Sequence, residues 1–293
     1  MAYTAVPTMP LATQRSRPLP GRAPSETARP TEDLLLWQVR DRFQDRLAAR
    51  VDLSLVAPAF DEEESLERLH ARVVEVFGDR SDWELVLVDD GSRDGTAALI
   101  RELAARDPRV VGVFFARNCG QTAATAAGVH LARGHLIATL DADLQNDPGD
   151  LPAMIELLPG HAAVVGYRRK RHDDFVRRAS SRIANAIRNR ISKDAIRDTG
   201  CSLKVFRADA IRAIPLFEGM HRFLPTLLRY HGFDVVEHPV GHAPRLAGKS
   251  KYGVGNRAWR ALKDLFAVRW MRGRRLVLPI REVTPLREDG RAR

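Results

Sequence analysis

From Val51 to Tyr167 the chain alternates short apolar runs with longer stretches in which apolar residues recur every three or four positions. The runs LSLVAP (53–58), WELVLVDD (83–90), VVGVFF (110–115), HLIATLDAD (135–143) and AAVVGY (162–167) have the length and β-branched content of buried strands. Between them, 62–76, 96–106, 122–132 and 151–158 carry the periodicity of helices. Strands that are apolar throughout and separated by amphipathic helices predict an α/β fold, Rossmann-like, with a mostly parallel sheet covered by helices on both faces.

The pattern breaks down at both ends. Residues 1–30 hold six prolines among Ser, Thr, Ala and Arg, a mixture that buries too little surface to offset its ordering entropy, and are expected to form a disordered tail. Thr31 reads as an N-cap followed by Glu32 and Asp33, and Leu36, Val39, Phe43 and Leu47 share one helical face, so a helix is expected over 31–50. After Arg168 a strongly basic stretch reads as an exposed loop and helix. A second basic helix is expected over 256–275, where Trp259, Leu262, Phe266 and Trp270 fall at helical spacing among seven Arg and Lys residues; a short tail, 276–293, follows. Basic amphipathic helices with tryptophans suit the interface of an anionic membrane, and equally a helix whose apolar stripe packs on its own domain.

Composition narrows the class. The 293 residues suffice for one sizeable core with appendages. Cys119 and Cys201 stand far apart, which fits a reducing cytosol and neither a disulfide framework nor a zinc cluster. The formal net charge of +10 calls for an acidic partner: nucleic acid, an anionic membrane surface or phosphorylated substrates. No stretch approaches the ~20 apolar residues of a spanning helix, and the amino terminus lacks the apolar core of a secretory signal, so a soluble or peripheral protein is expected.

In an open parallel sheet ligands bind at the carboxyl ends of the strands, and each polar cluster of this chain stands at such an end: Pro58–Glu62, Asp89–Ser92, Arg117–Gln121 and Asp141–Gln145. Asp141 and Asp143 would face the same way if the strand continued through them, and could share one hard cation, Asp143 more directly if a turn intervenes. A solvated turn is the plainer reading of an isolated Asp-x-Asp. Asp89 and Asp90 could accept hydrogen bonds from a ribose hydroxyl or a base N–H, or simply cap a helix entry.

Taken in order, PAFDEE (58–63), VLVDDGSRDGT (86–96), RNCGQTAATAAG (117–128), LDADLQNDP (140–148), GYRR (166–169), DTGCSLKVFR (198–207) and RLAGKSKYG (245–253) resemble the family 2 glycosyltransferases, in particular the dolichol-phosphate mannose synthase-like branch that makes polyprenyl-phosphate sugars. The likeness covers about 51–255. It implies a GT-A domain over 51–255, a nucleotide-sugar donor, Mg²⁺ or Mn²⁺, and inversion at the anomeric carbon. On matching positions, Pro58, Phe60, Glu62, Val88 and Asp90 would hold the nucleoside. Asp141, Asp143 and Gln145 would hold metal and diphosphate, with Ala142 between them lining the donor site. Arg168 would meet the donor phosphates, Arg245 donor or acceptor phosphates, counting with Asp141 and Asp143 among the catalytic groups, and Arg177, Ser181 and Lys251 the acceptor phosphate. A lipid phosphate is already an anionic nucleophile, so this chemistry needs cations to join two anions more than it needs a strong base.

The expected function is therefore transfer of one sugar from GDP-mannose or a UDP-sugar to a polyprenyl phosphate, by a peripheral protein on the cytoplasmic face of the membrane. Alternatives are the same fold acting on a saccharide acceptor, or a non-catalytic basic nucleic-acid-binding protein. Nucleic acid is not expected as a partner, because no zinc finger or RNP-type motif is present. The chain departs from the family pattern at Asp61, where Asn is usual, and at His135, where Asp is frequent, and the carboxyl-terminal spanning helices of some relatives are not expected from these residues. Phe266 stands where processive synthases carry Gln in Gln-x-x-Arg-Trp, which disfavours processivity.

Overall fold

The computed structural model describes residues 36–43, 46–47, 49–78, 82–168, 196–243 and 254–274, with only the backbone of 36, 37, 41 and 254–262. The expected tails (1–30 and 276–293), the Thr31 cap, and Arg177, Ser181, Arg245 and Lys251 lie outside the described residues.

Strands β1 (Val51–Ala59), β2 (Trp83–Asp89), β3 (Val110–Phe114), β4 (Gly134–Thr139), β5 (Ala163–Arg168), β6 (Lys204–Arg207) and β7 (Val235–Val240) form one seven-stranded sheet in the order β3-β2-β1-β4-β6-β5-β7. Four of its pairings are parallel (β1 with β2, β1 with β4, β2 with β3, β5 with β7), and β6 runs antiparallel to both β4 and β5. The expected parallel half is present with its helices α2 (Glu63–Phe77), α3 (Thr96–Arg106), α4 (Gln121–Leu131) and α5 (Leu151–Glu156). The second half differs from a simple continuation, because β6 inserts between β4 and β5. Alternate residues feed two cores: Val56, Val86 and Val88 face α4, whereas Leu55, Leu85 and Leu87 face α2 and α3. Short helices α6 (Ala208–Ala213) and α7 (Leu224–Tyr230), and the long α8 (Val254–Gly273), complete the first of these layers.

The order places the switch of chain direction between β1 and β4. There the sheet opens: the β1–β4 pairing ends at Val56 and Thr139, while β1 continues beside β2 to Ala59 and Asp89. Pro58, which has no N–H to give, sits in that overhang, past the last residue of β4. The other interior proline of a strand, Pro239, lies in the edge strand β7.

At the opposite end of the sheet the amino-terminal helix α1 (Leu36–Arg42) packs on α4, with Val39 and Leu47 buried and the Arg40 guanidinium donating to the His130 carbonyl at 2.9 Å. Glu84, fully buried at the start of β2, accepts hydrogen bonds from Ser54 Oγ (2.7 Å), Arg133 N (2.7 Å), Arg133 Nε (2.8 Å) and Arg46 Nη2 (2.8 Å). This one carboxylate joins the amino-terminal segment to the sheet.

Candidate active site

The four polar clusters meet along one rim and are tied to each other in sequence order. Asp61 donates its N–H to Ser92 Oγ at 2.9 Å, and its Oδ1 accepts from the Arg93 N–H at 2.8 Å. Glu62 donates its N–H to Thr96 Oγ1 at 2.8 Å. Asp61 has φ +50°, a left-handed conformation that Asn and Asp tolerate best among residues with a Cβ, so Asp serves here where the family usually has Asn. The second cluster grips the third through Asp90. Its carboxylate accepts from Cys119 N (2.7 Å), Gly120 N (2.9 Å) and Asn118 Nδ2 (3.0 Å). Gly91 makes that approach possible: its φ is +70°, and a Cβ there would stand 2.6 Å from Asn118 N.

The third cluster grips the fourth. Gln121, the first residue of α4, donates from Nε2 to Asp141 Oδ1 at 2.9 Å. Beyond Thr139 the chain has left the strand, so of the two arrangements open to the sequence it is the turn that intervenes: Asp141 leads into a tight turn that holds Asp143 and whose Leu144 has φ +56°. A branched side chain rarely takes that conformation, and the turn holds it by packing Leu144 on the core and by the bond from Gln145 N to Asp143 Oδ1 at 3.1 Å. Asp143 and Ala142 are buried; Asp141 and Gln145 are half-buried. From below, Gln145 O accepts from Ala243 N (2.9 Å) and Asn146 Nδ2 donates to Gly241 O (3.2 Å).

Arg168, at the end of β5, forms a two-pronged pair with Asp198, Nε to Oδ2 at 2.7 Å and Nη2 to Oδ1 at 3.0 Å. Burial works against its charge, but Asp198 and, further off, Asp141 outweigh it and hold the pKa above the ordinary arginine value. Lys204 lies behind them, buried in β6 and donating from Nζ to the Cys201 carbonyl. Burial pulls its pKa down, against the attraction of Asp141 and Asp198. Burial also raises the pKa of Asp90, with Asp89 adding to it against the N–H bonds of Cys119 and Gly120.

Of the residues expected from sequence, Pro58, Phe60, Glu62, Val88, Asp90, Asp141, Ala142, Asp143, Gln145 and Arg168 all stand at these strand ends. Val88 is sealed in the core, and the oxygens of Asp90 already serve the 118–120 loop. Sequence reasoning assigned no role to Asp198, Lys204, Gln121 or Thr122. Asp198 and Lys204 lie in the quoted DTGCSLKVFR motif, which was the available signal. Two carboxylates and an amide at an open rim suit Mg²⁺ or Mn²⁺, which keep sites for water and phosphate oxygens. Among the described residues no group of three or more His, Cys, Asp or Glu is placed to hold a metal ion, so any ion here would rest on Asp141, Asp143 and the Gln145 amide.

Comparison with known proteins decides the family. The sequence model of glycosyl transferase family 2 matches residues 54–214, more than half of the chain. The chain belongs to this family. The glycosyltransferase is 41% identical over 225 residues to a dodecaprenyl-phosphate galacturonate synthase of Rhizobium johnstonii, covering 74% of this chain and 66% of the relative. It is 38% identical over 205 residues to an undecaprenyl-phosphate 4-deoxy-4-formamido-L-arabinose transferase of Aeromonas hydrophila, covering 69% and 63%. The chain thus spans just under two thirds of the length of these curated relatives. Among solved structures it resembles a Pyrobaculum calidifontis mannosyltransferase in complex with GDP-Man and Mn²⁺ (TM-score 0.55, 20% identity, covering 83% of this chain and 72% of that one). It also resembles Mycobacterium tuberculosis glucosyl-3-phosphoglycerate synthase with Mg²⁺ and UDP (TM-score 0.56, 16% identity, 83% and 84%). These likenesses establish the GT-A fold expected from the motifs.

Proposed function

We propose that this family 2 glycosyltransferase moves one sugar from a nucleoside-diphosphate sugar to a polyprenyl phosphate, with inversion at the anomeric carbon. The observation that carries the reading is the unbroken hydrogen-bonded rim from Asp61 and Glu62 through Asp90 and Gln121 to Asp141. A nucleoside end and a carboxylate end held at fixed separation are what a nucleoside diphosphate requires. Both curated relatives carry names that specify a polyprenyl phosphate.

In this reading Pro58, Phe60 and Glu62 border the nucleoside, Asp90 shapes the loop beside it, and Asp141, Asp143 and Gln145 hold Mg²⁺ or Mn²⁺. When bound, that ion neutralises negative charge on the diphosphate. Arg168, kept charged by Asp198, faces the phosphates as a planar donor fork. Arg177, Ser181, Arg245 and Lys251 are assigned to donor and acceptor phosphates by the family resemblance. Incubating the protein and a polyprenyl phosphate with a panel of GDP- and UDP-sugars, with and without Mn²⁺, is expected to yield one glycosyl-phospholipid by mass and only with metal. Sugar appearing on a saccharide acceptor and never on the lipid would overturn the acceptor assignment.

A lipid acceptor places the enzyme at a membrane surface, here the cytoplasmic face. Among the described residues no helix is long and apolar enough to cross a membrane. Helix α8 offers a way to lie on one. Leu265 and Val268 pack into the core, while Phe266 and Trp270 are 55% and 64% exposed, with Lys263, Arg269 and Arg272 exposed on the same helix and Arg274 exposed just past its end. Packing on the domain thus falls on Leu265 and Val268, and Phe266 and Trp270 are left for the proposed membrane contact. Each aromatic would contribute roughly 2 kcal/mol on burial in the interface, so a Phe266→Ala/Trp270→Ala protein is expected to bind anionic vesicles at least ~10-fold more weakly in sedimentation. Unchanged binding would rule out α8 as the anchor.

A further inference from the structure

The turn that leads into α7 brings a histidine to the metal-side rim. His221 Nδ1 lies 2.6 Å from Thr122 Oγ1, and Thr122 Oγ1 also accepts the Gly219 N–H at 3.0 Å. Thr122 directly follows Gln121, whose amide is bonded to Asp141. Successive residues of α4 therefore hold the proposed metal ligand and His221. The turn itself is fixed. Met220 and Phe223 are buried in the core, and Gly219, with φ +87°, packs so closely on Asp264 of α8 that a Cβ would run into the carboxylate.

The hydrogen-bond pattern assigns the tautomer. Thr122 Oγ1 accepts from Gly219, and among the described residues its own proton has His221 Nδ1 as its acceptor; the arrangement that satisfies every group has Thr122 donating to Nδ1, so the neutral ring carries its proton on Nε2. Burial, with Arg222 and Lys204 nearby, lowers the His221 pKa to about 3, which keeps the ring neutral at working pH. His221 is half-buried, and its Nε2 meets no partner among the described residues. A histidine that served only to brace the turn would need Nδ1 alone.

We infer that His221 reads the sugar: seated on Thr122, it presents its Nε2–H to an acceptor oxygen of the glycosyl group being transferred. This rests on the reading of the rim as a nucleotide-sugar site, for the sugar hangs from the phosphate nearest the metal and must lie within a few ångströms of Asp141. The positive charges of Lys204 and Arg222 around the ring favour an oxygen acceptor there over a second donor.

Three proteins test it: His221→Asn, whose Oδ1 can still accept from Thr122 while nothing reaches the Nε2 position; His221→Gln, whose amide nitrogen extends about that far; and the wild type. Calorimetry with Mn²⁺ compares the nucleotide sugar that the wild type turns over with the corresponding nucleoside diphosphate. His221→Asn is expected to bind the diphosphate within about 2-fold of wild type, yet to lose roughly 10- to 100-fold in affinity and kcat/KM for the nucleotide sugar. His221→Gln is expected to recover part of that loss. Equal weakening of both ligands, or no weakening of either, overturns the assignment and leaves the rim reading intact. A wild-type protein that binds no nucleotide overturns the rim reading and this inference with it.

Discussion

Replacing Asp143 with Ala is expected to reduce sugar transfer by about 10³-fold or more. A divalent ion on a diphosphate is worth several kcal/mol of charge stabilisation, and each ~1.4 kcal/mol is a factor of ten in rate. Asp143 is the buried member of the acidic pair, and its Oδ1 also accepts the Gln145 N–H, so the same substitution loosens a third proposed ligand. Asp143→Asn separates the two effects, because an amide oxygen still accepts that bond but brings no charge. Its activity should fall almost as far as that of the Ala protein, with raised Mn²⁺ moderating the loss in rate assays. Full transfer by either variant would falsify the metal assignment.

The second large effect concerns stability and lies at the other end of the sheet. Glu84→Ala is expected to cost about 3–5 kcal/mol, because it strands Arg46 and Arg133 beside a fully buried void. In calorimetry this is a fall of roughly 10 °C in midpoint. Burial alone would raise the pKa of Glu84, yet the Arg133 N–H, Ser54 and the two guanidinium groups hold it below the ordinary value. Its contribution is therefore present above the ordinary glutamate range and is lost as pH falls through the lowered value. Arg46 belongs to the amino-terminal segment, so limited proteolysis should cut there first in the variant. Nucleotide binding by the molecules that remain folded should be unchanged, since Glu84 lies near the start of the strand that ends at Asp89, just before Asp90. A midpoint within a degree of wild type would show that the network carries no net stability.

The parallel half of the fold and the place of the rim were legible because both rest on local signals. A strand buried on both faces must be apolar throughout, and its helix must be amphipathic, so β1 to β4 and α2 to α4 show in the residue pattern. Polar residues that end such strands have to stand at the sheet's carboxyl edge, whatever the rest of the chain does. Strand β6 left no such trace. It has four residues, one of them the buried Lys204, and it joins the sheet by pairing with β4 and β5, both distant in sequence. Lys204 reads as a surface residue until its neighbours Asp141 and Asp198 are known.

The outer face of α8 was likewise undetermined by spacing. Phe266 and Trp270 form one helical stripe and Leu265 and Val268 another, and which of them turns inward depends on the surface the helix meets. The family, the order of the motifs and the carboxylates at the strand ends follow from the sequence itself, since they reside in neighbouring residues and in the period of burial. Tertiary structure alone decided that Asp90 binds the 118–120 loop, that Arg168 pairs with Asp198, and that His221 reaches Thr122 across 99 residues of chain. Those are contacts between segments far apart in sequence, and a linear pattern carries no record of which distant segments will meet.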